Sequence, residues 1–208
     1  MEPLVHITLV VDKSGSMNAS KTDVIGGFNA FLEAQRALPG HMTVTLVLFD
    51  TGYTTVHNGV PVAQVPDLDA RTYQPGGCTA LIDAVTRGII DTERFLSGLP
   101  PQEQPVRVLF VVMTDGEENS SRLYDLNDLR TMVAEREGAG NWEFVYIGHA
   151  LDGFSHGTQA SSIGIHQSTT SDSVAESYRE VTELTSVVRA RVKRDAGLRW
   201  KGTRDDTN

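Results

Sequence analysis

The sequence contains a single cysteine, Cys78, among its 208 residues. One cysteine cannot form an internal disulfide or a cysteine-based zinc site, which excludes a disulfide scaffold and a cysteine zinc fold. Basic residues are also few, with 18 Lys and Arg against 27 Asp and Glu, for a formal charge of −9. This balance argues against nucleic acids and anionic membranes as partners, because both are bound by clustered positive charge.

Long apolar runs are missing as well. No segment reaches the roughly 18 consecutive apolar residues that a membrane helix needs. The first apolar run has no basic segment before it and ends at Asp12, so it is typical of a first strand and not of a secretion signal. We therefore expect a cytoplasmic protein with no membrane segment.

Segments with strand and helix patterns alternate along the chain. Apolar, β-branched runs predict strands at 4–11, 43–49, 53–60, 106–113 and 142–147, and a short strand at 163–165. Apolar residues spaced 3.6 apart predict helices at 21–38, 79–96 and 125–137. A short helix or turn is expected at 151–159. Ser173 and Glu176 form a capping-box pattern that opens a long last helix.

The alternation predicts a doubly wound α/β domain, with a mainly parallel sheet and helices on both faces. Only residues 50–52 separate strands 43–49 and 53–60, which is too short for a crossover, so that pair must be antiparallel and the weaker strand lies at an edge. We assign residues 1–195 to this single domain and residues 196–208 to a polar, disordered tail. The basic residues at 189–201 are expected to form a solvated helix end.

Oxygen-bearing side chains stand where two of these strands end and where one helix begins. Asp12, Ser14 and Ser16 follow the first strand, Thr79 opens the helix at 79–96, and Asp115 follows the strand at 106–113. In doubly wound folds the loops at the carboxyl ends of the strands form the binding crevice. We therefore expect these five side chains to converge.

Two carboxylates and three hydroxyls suit a hard divalent cation. Mg²⁺ prefers oxygen ligands in octahedral geometry and usually keeps some of its water. Two carboxylates at most balance its charge, so the cation would stay electrophilic and keep a position for an outside ligand. The sequence therefore predicts Mg²⁺, with Mn²⁺ or Ca²⁺ as alternatives.

The pattern Asp12-x-Ser14-x-Ser16, followed by Thr79 and Asp115, resembles the metal-ion-dependent adhesion site of von Willebrand factor A and integrin I domains. The order of elements over residues 4–192 agrees with that family, and residues 24–29 and 114–119 are similar to its prokaryotic intracellular members. The resemblance implies a Rossmann-like fold, a cation held by these five residues, and a protein-binding module without enzymatic activity. It also implies a protein partner whose acidic side chain completes the metal coordination. Around the site, the expected ligand-binding rim consists of Gly15, Gly77, Cys78, Gly116, Glu117 and His149.

Other interpretations of these residues stay open. The serines and Thr79 could be ordinary turn or cap residues, and Asp115 a turn residue before Gly116. A Mg²⁺-dependent phosphatase of the haloacid dehalogenase type also carries an aspartate at the end of its first strand. That chemistry normally needs a second aspartate two positions later, where this sequence has Ser14.

Three further expectations concern packing and exposure. Gly26 and Gly27 interrupt the helix at 21–38, and close packing against the sheet would account for them. Cys78 is expected to be a small, partly buried filler. Glu117 and Glu118 are expected to form a solvated acidic rim.

Overall fold

Strands and helices alternate throughout the computed structural model, which describes residues 4–148, 166–168 and 173–202. The short helix or turn predicted at 151–159 and the strand predicted at 163–165 lie outside these residues. The other predicted elements are confirmed, with bounds that differ by a few residues. The strands and helices of the described residues are β1 (Leu4–Asp12), α1 (Lys21–Arg36), β2 (His41–Phe49), β3 (Tyr53–Pro61), α2 (Leu81–Ser97), β4 (Arg107–Met113), α3 (Leu126–Gly138), β5 (Trp142–Ile147), β6 (His166–Ser168) and α4 (Val174–Gly202), of which β6 follows the residues predicted as the last strand.

The strands form one sheet in the order β3-β2-β1-β4-β5-β6. All neighbouring pairs are parallel except β2 and β3, which are antiparallel and place β3 at the edge. This arrangement confirms the predicted fold class.

Helices cover both faces of the sheet. On β1, Ile7, Leu9 and Val11 belong to the core cluster that includes residues of α1 and α4. Val10 on β1 and Phe110 on β4 belong to the opposite cluster, with residues of α2 and α3. Because alternate residues of the central strands are buried on opposite sides, these strands are apolar almost without interruption.

The strand order reverses between β1 and β4, which makes this the topological switch point of the sheet. The two strands are parallel and in register, with Val11 opposite Met113. Consequently Asp12 at the end of β1 and Thr114 after β4 emerge side by side. Such a switch point is where doubly wound folds bind their ligands.

Helix α1 packs against α4 at Gly27. A Cβ atom at this position would lie 2.3 Å from Cδ2 and 3.0 Å from Cβ of Tyr178. No such neighbour lies within 4 Å of a Cβ at Gly26. The expectation that both glycines serve close packing against the sheet is therefore wrong, because only Gly27 is close-packed, and its neighbour is a helix.

The side chain of Arg189 joins α4 to the end of α1. It is buried, and its guanidinium donates to the carbonyl oxygens of Gln35 at 2.6 Å, Leu38 at 3.1 Å and Gly40 at 3.0 Å. The last carbonyls of a helix have no partner inside the helix and carry partial negative charge, so they suit a buried cation. The expectation of a solvated helix end is wrong at Arg189.

Helix α4 continues to Gly202, so residues 196–202, expected to belong to a disordered tail, are helical. Residues 203–208 lie outside the described part of the chain, and the rest of the tail stays a prediction. In the part that the structure describes, no helix is long and apolar enough to cross a membrane.

Candidate metal centre

The loops after β1 and β4 are joined by hydrogen bonds between polar side chains. Asp12 is buried, and its carboxylate accepts from the Thr114 hydroxyl at 2.5 Å and from the backbone N–H of Ser14 at 2.6 Å. The Ser16 hydroxyl donates to Asp115 at 2.8 Å, and the hydroxyl oxygens of Ser14 and Ser16 are 3.0 Å apart. Four of the five predicted residues thus form one connected group.

Thr79 reaches the same group around Gly116. A Cβ atom at Gly116 would lie 3.0 Å from the Thr79 hydroxyl oxygen, 3.5 Å from Asp12 Oδ2 and 3.5 Å from Ser16 Oγ. Oxygen atoms of Thr79, Asp12 and Ser16, which stand on two other loops, therefore lie around the position that a side chain at residue 116 would occupy. The structure brings all five predicted side chains to one place.

The backbone fixes the loop that carries Thr79 against the loop after β1. The N–H of Gly15 donates to the carbonyl of Gly77 at 3.1 Å, and the N–H of Gly76 donates to the carbonyl of Lys13 at 2.8 Å. Gly77 has φ of +73°, a conformation that favours glycine. Lys13 in turn forms an ion pair with Asp50 at the end of the neighbouring strand β2.

Thr79 does not cap helix α2. The helix begins at Leu81, its N-cap is Ala80, and no side chain of the N-cap residue accepts a hydrogen bond. Thr79 is buried and is held through its backbone by Asn119, whose side-chain oxygen accepts from the Thr79 N–H at 2.9 Å. The interpretation of Thr79 as an N-cap is therefore wrong, and its hydroxyl is not used for capping.

The residues of the expected rim have different surroundings. Gly15, Gly77, Cys78 and Glu117 are exposed and Gly116 is half-buried, while His149 lies outside the described residues. The expectation of a partly buried filler at Cys78 is wrong. Glu118 is half-buried and accepts a hydrogen bond from the N–H of Ile82 at 2.8 Å, so the expectation of a solvated rim is wrong at this position.

Two residues that form hydrogen bonds with Asp12 were not among those predicted from the sequence. The Thr114 hydroxyl bonds to the carboxylate of Asp12, and the buried hydroxyl of Tyr73 donates to its backbone carbonyl at 2.6 Å. Thr114 could have been found from its position directly after β4. Tyr73 lies in a long loop without periodicity, and nothing in the sequence connects it with Asp12.

Negative charge accumulates at this edge of the sheet. Burial raises the pKa of Asp12, the hydrogen bonds from Thr114 and Ser14 lower it, and the nearby carboxylate of Asp115 raises it again. In the described residues no group of three or more His, Cys, Asp or Glu side chains could hold a metal ion. The donor set nevertheless fits a hard divalent cation, because two carboxylates and three hydroxyls are all oxygen ligands and a cation would neutralise the buried charge.

No protein-family model and no curated protein sequence matches this chain. Solved structures match it at low identity. Proximal thread matrix protein 1 from the mussel byssus has a zinc-occupied MIDAS motif (metal-ion-dependent adhesion site). Its TM-score is 0.56 at 14% identity, covering 89% of this chain and 46% of that chain. The manganese-loaded TRAP protein of Plasmodium vivax has a TM-score of 0.54 at 18% identity, covering 86% of this chain and 71% of that chain.

A third match is the von Willebrand factor type A structure from Catenulispora acidiphila. Its TM-score is 0.51 at 18% identity, covering 87% of this chain and 42% of that chain. The chain spans less than half the length of two of these three structures. At such identities the similarity concerns the fold alone, and it agrees with the strand order and the antiparallel edge strand. The chain has the fold of a von Willebrand factor A-type domain.

Proposed function

We propose that this chain is a divalent-metal-dependent module that binds a partner protein and is not an enzyme. The cation is Mg²⁺, with Mn²⁺ or Ca²⁺ as alternatives, and its ligands are Asp12, Ser14, Ser16, Thr79 and Asp115. The observation that carries this proposal is the convergence of these oxygen-bearing side chains at the switch point of the sheet. The zinc-occupied motif of the mussel protein and the manganese-loaded Plasmodium protein, both of the same fold, are consistent with a divalent ion.

The site extends from the interior to the surface. Asp12 and Ser14 are buried, with 0% and 2% of their surface exposed, whereas Ser16 is exposed and Asp115 half-buried. A cation between them would have protein ligands below it and an approach from solvent above. When bound, it would supply an electrophilic coordination position, and we propose that an acidic side chain of the partner fills it.

The chain's own residues would orient the ligands for this purpose. Thr114 and the N–H of Ser14 hold the Asp12 carboxylate from two sides, and Ser16 holds Asp115. A phosphatase is less well supported, because Ser14 replaces the aspartate that such an enzyme uses as acid and base. Lys13, which precedes Ser14 in the sequence, forms an ion pair with Asp50.

A calorimetric titration of chelator-stripped protein with Mg²⁺, Mn²⁺ and Ca²⁺ tests the metal site. We expect one cation per chain in the wild type and no binding in Asp115→Asn. Glu103→Gln is the control, because it removes the same charge from an exposed residue ahead of β4, outside the proposed site, and should leave binding intact. Equal metal binding by Asp115→Asn and the wild type would contradict the proposed ligand set.

A second experiment tests the partner chemistry. An acidic peptide should bind in Mg²⁺ and not in chelator, and a peptide with the corresponding amides should not bind in either condition. Metal-independent binding of the acidic peptide would contradict a carboxylate ligand on the cation. Release of phosphate from phosphoesters, lost in Asp12→Asn, would instead support the phosphatase.

A further inference from the structure

Glu118 links the loop after β4 to the start of helix α2. Its carboxylate accepts four hydrogen bonds. One oxygen accepts from the N–H groups of Ser120 at 2.9 Å and Ser121 at 2.7 Å. The other accepts from the Ser121 hydroxyl at 2.7 Å and from the N–H of Ile82, in the first turn of α2, at 2.8 Å.

Asp83 makes the reciprocal link from α2 to the same loop. Its carboxylate accepts from the N–H groups of Arg122 at 2.8 Å, Leu123 at 2.9 Å and Tyr124 at 3.0 Å. The N–H of Asp83 itself donates to the Ser121 hydroxyl at 3.0 Å. Each segment therefore provides a carboxylate that binds backbone amides of the other, and we call this pair the Asp83–Glu118 clamp.

Helix geometry explains why such a clamp is needed here. The first N–H groups of a helix have no acceptor within the helix, and a side chain at the N-cap usually supplies one. Ala80 at the N-cap of α2 cannot do so. Glu118 and Ser121 supply the acceptors from a distant segment, and a carboxylate there is further stabilised by the helix dipole.

The clamp lies directly behind two of the proposed cation ligands. Thr79 is three residues before Ile82, and Asp115 is three residues before Glu118. Asn119, next to Glu118, adds two hydrogen bonds between the loops. Its side chain accepts from the Thr79 N–H at 2.9 Å, and its own N–H donates to the Thr79 carbonyl at 3.1 Å. The two loops cannot separate without breaking these bonds.

We propose that the Asp83–Glu118 clamp sets the distance between the Thr79 hydroxyl and the Asp115 carboxylate, and thereby the affinity for the cation. This inference rests on the proposed function. Glu118 and Asp83 are positioning residues, since they hold the ligands through the backbone. Residues that hydrogen-bond directly to metal ligands typically change metal affinity about 10- to 100-fold when mutated, and the clamp acts through one further backbone segment.

The test measures Mn²⁺ affinity by calorimetry in the full chain, in Glu118→Gln and in Glu103→Gln. Glutamine at position 118 replaces one acceptor oxygen with an NH₂ group that faces N–H donors, so the clamp loses bonds at that oxygen. We expect an affinity about 10-fold weaker in Glu118→Gln, at the lower end of that range. Glu103→Gln removes the same charge from an exposed residue outside the proposed site and should stay within about two-fold of the wild type.

Two further measurements separate positioning from simple helix capping. Thermal unfolding in chelator and in Mn²⁺ should show a smaller metal-induced rise of the midpoint in Glu118→Gln than in the wild type. A cap with no connection to the metal would lower both midpoints equally. Ser121→Ala is the milder variant should Glu118→Gln not fold, and it should weaken Mn²⁺ binding several-fold.

The outcomes distinguish this inference from the proposed function. If the wild type binds Mn²⁺, and Glu118→Gln and Ser121→Ala bind it with affinities within two-fold of the wild type, the clamp has no role in affinity and the metal site stands. Equal losses in Glu118→Gln and Glu103→Gln would assign the effect to net charge and overturn positioning. If the wild type binds no divalent cation, both the metal site and the role of the clamp are refuted.

Discussion

Alanine at Gly27 should destabilise the domain, although alanine favours helices. A new Cβ atom would lie 2.3 Å from Cδ2, 2.7 Å from Cγ and 3.0 Å from Cβ of Tyr178. Rotation of the tyrosine ring cannot relieve the last of these contacts, because Cβ is fixed to the backbone of α4. The two helices must therefore move apart. Gly26, one residue earlier in the same helix, is exposed and has no such neighbour within 4 Å.

The expected effects on the free energy of unfolding have opposite signs at the two positions. Replacing glycine by alanine inside a helix gains about 0.5–1 kcal/mol, which is the whole effect expected at Gly26. At Gly27 the same gain is set against roughly 1–3 kcal/mol for overpacking a closely packed interface. The two variants should thus differ by about 1–3 kcal/mol, or roughly 2–12 °C in Tm for a domain of this size.

Urea unfolding of the two variants, followed by circular dichroism, measures this difference directly. Gly26→Ala should unfold at a higher urea concentration than the wild type and Gly27→Ala at a lower one, with similar slopes. If Gly27→Ala is as stable as Gly26→Ala, α4 does not pack against α1 at this height.

Three further predictions concern stability. Burial lowers the pKa of His6 to about 4 in the folded chain, so the unfolded chain takes up the proton first as the pH falls below 6.5. The free energy of unfolding should therefore drop by about 3 kcal/mol between pH 6.5 and 4. In urea titrations at several pH values, His6→Gln should lose most of this dependence on pH. Arg189→Met leaves several carbonyls without a donor and should cost on the order of 2–4 kcal/mol, whereas Arg191→Met, at an exposed position, should stay within about 0.5 kcal/mol. Chelator should lower the wild-type Tm and should leave the Tm of Asp115→Ala unchanged. Where the cation had been present at 100 times its Kd, its removal takes away about 2.7 kcal/mol of the free energy of unfolding.

The arrangement of elements could be predicted because its signals are local. The buried strand β4 is a continuous apolar run, and the short connection at residues 50–52 forces β3 to be antiparallel. The convergence of Asp12 and Asp115 followed from the parallel order alone, since the loops after parallel strands meet at one edge. Neither step needed knowledge of side-chain packing.

The remaining features depend on contacts between distant segments. Gly27 is explained only by Tyr178, and Arg189 is buried only because the end of α1 offers it carbonyl groups. Glu118 resembles its exposed neighbour Glu117 in sequence, yet it accepts hydrogen bonds from a helix that begins 37 residues earlier in the chain. Periodicity reports which face of an element is buried, but it does not report which element lies opposite.

The long separation of the site residues has a consequence for how the chain folds. The bonds from Thr114 to Asp12 and from Ser16 to Asp115 join residues 102 and 99 positions apart. A nascent chain that ends before Asp115 lacks one of the proposed ligands, and an unpaired β4 leaves the two carboxylates apart. Cation binding would then begin only after β4 has joined β1 in the sheet. Under the proposed function, a partner that recognises the bound cation would select chains whose central sheet is already complete.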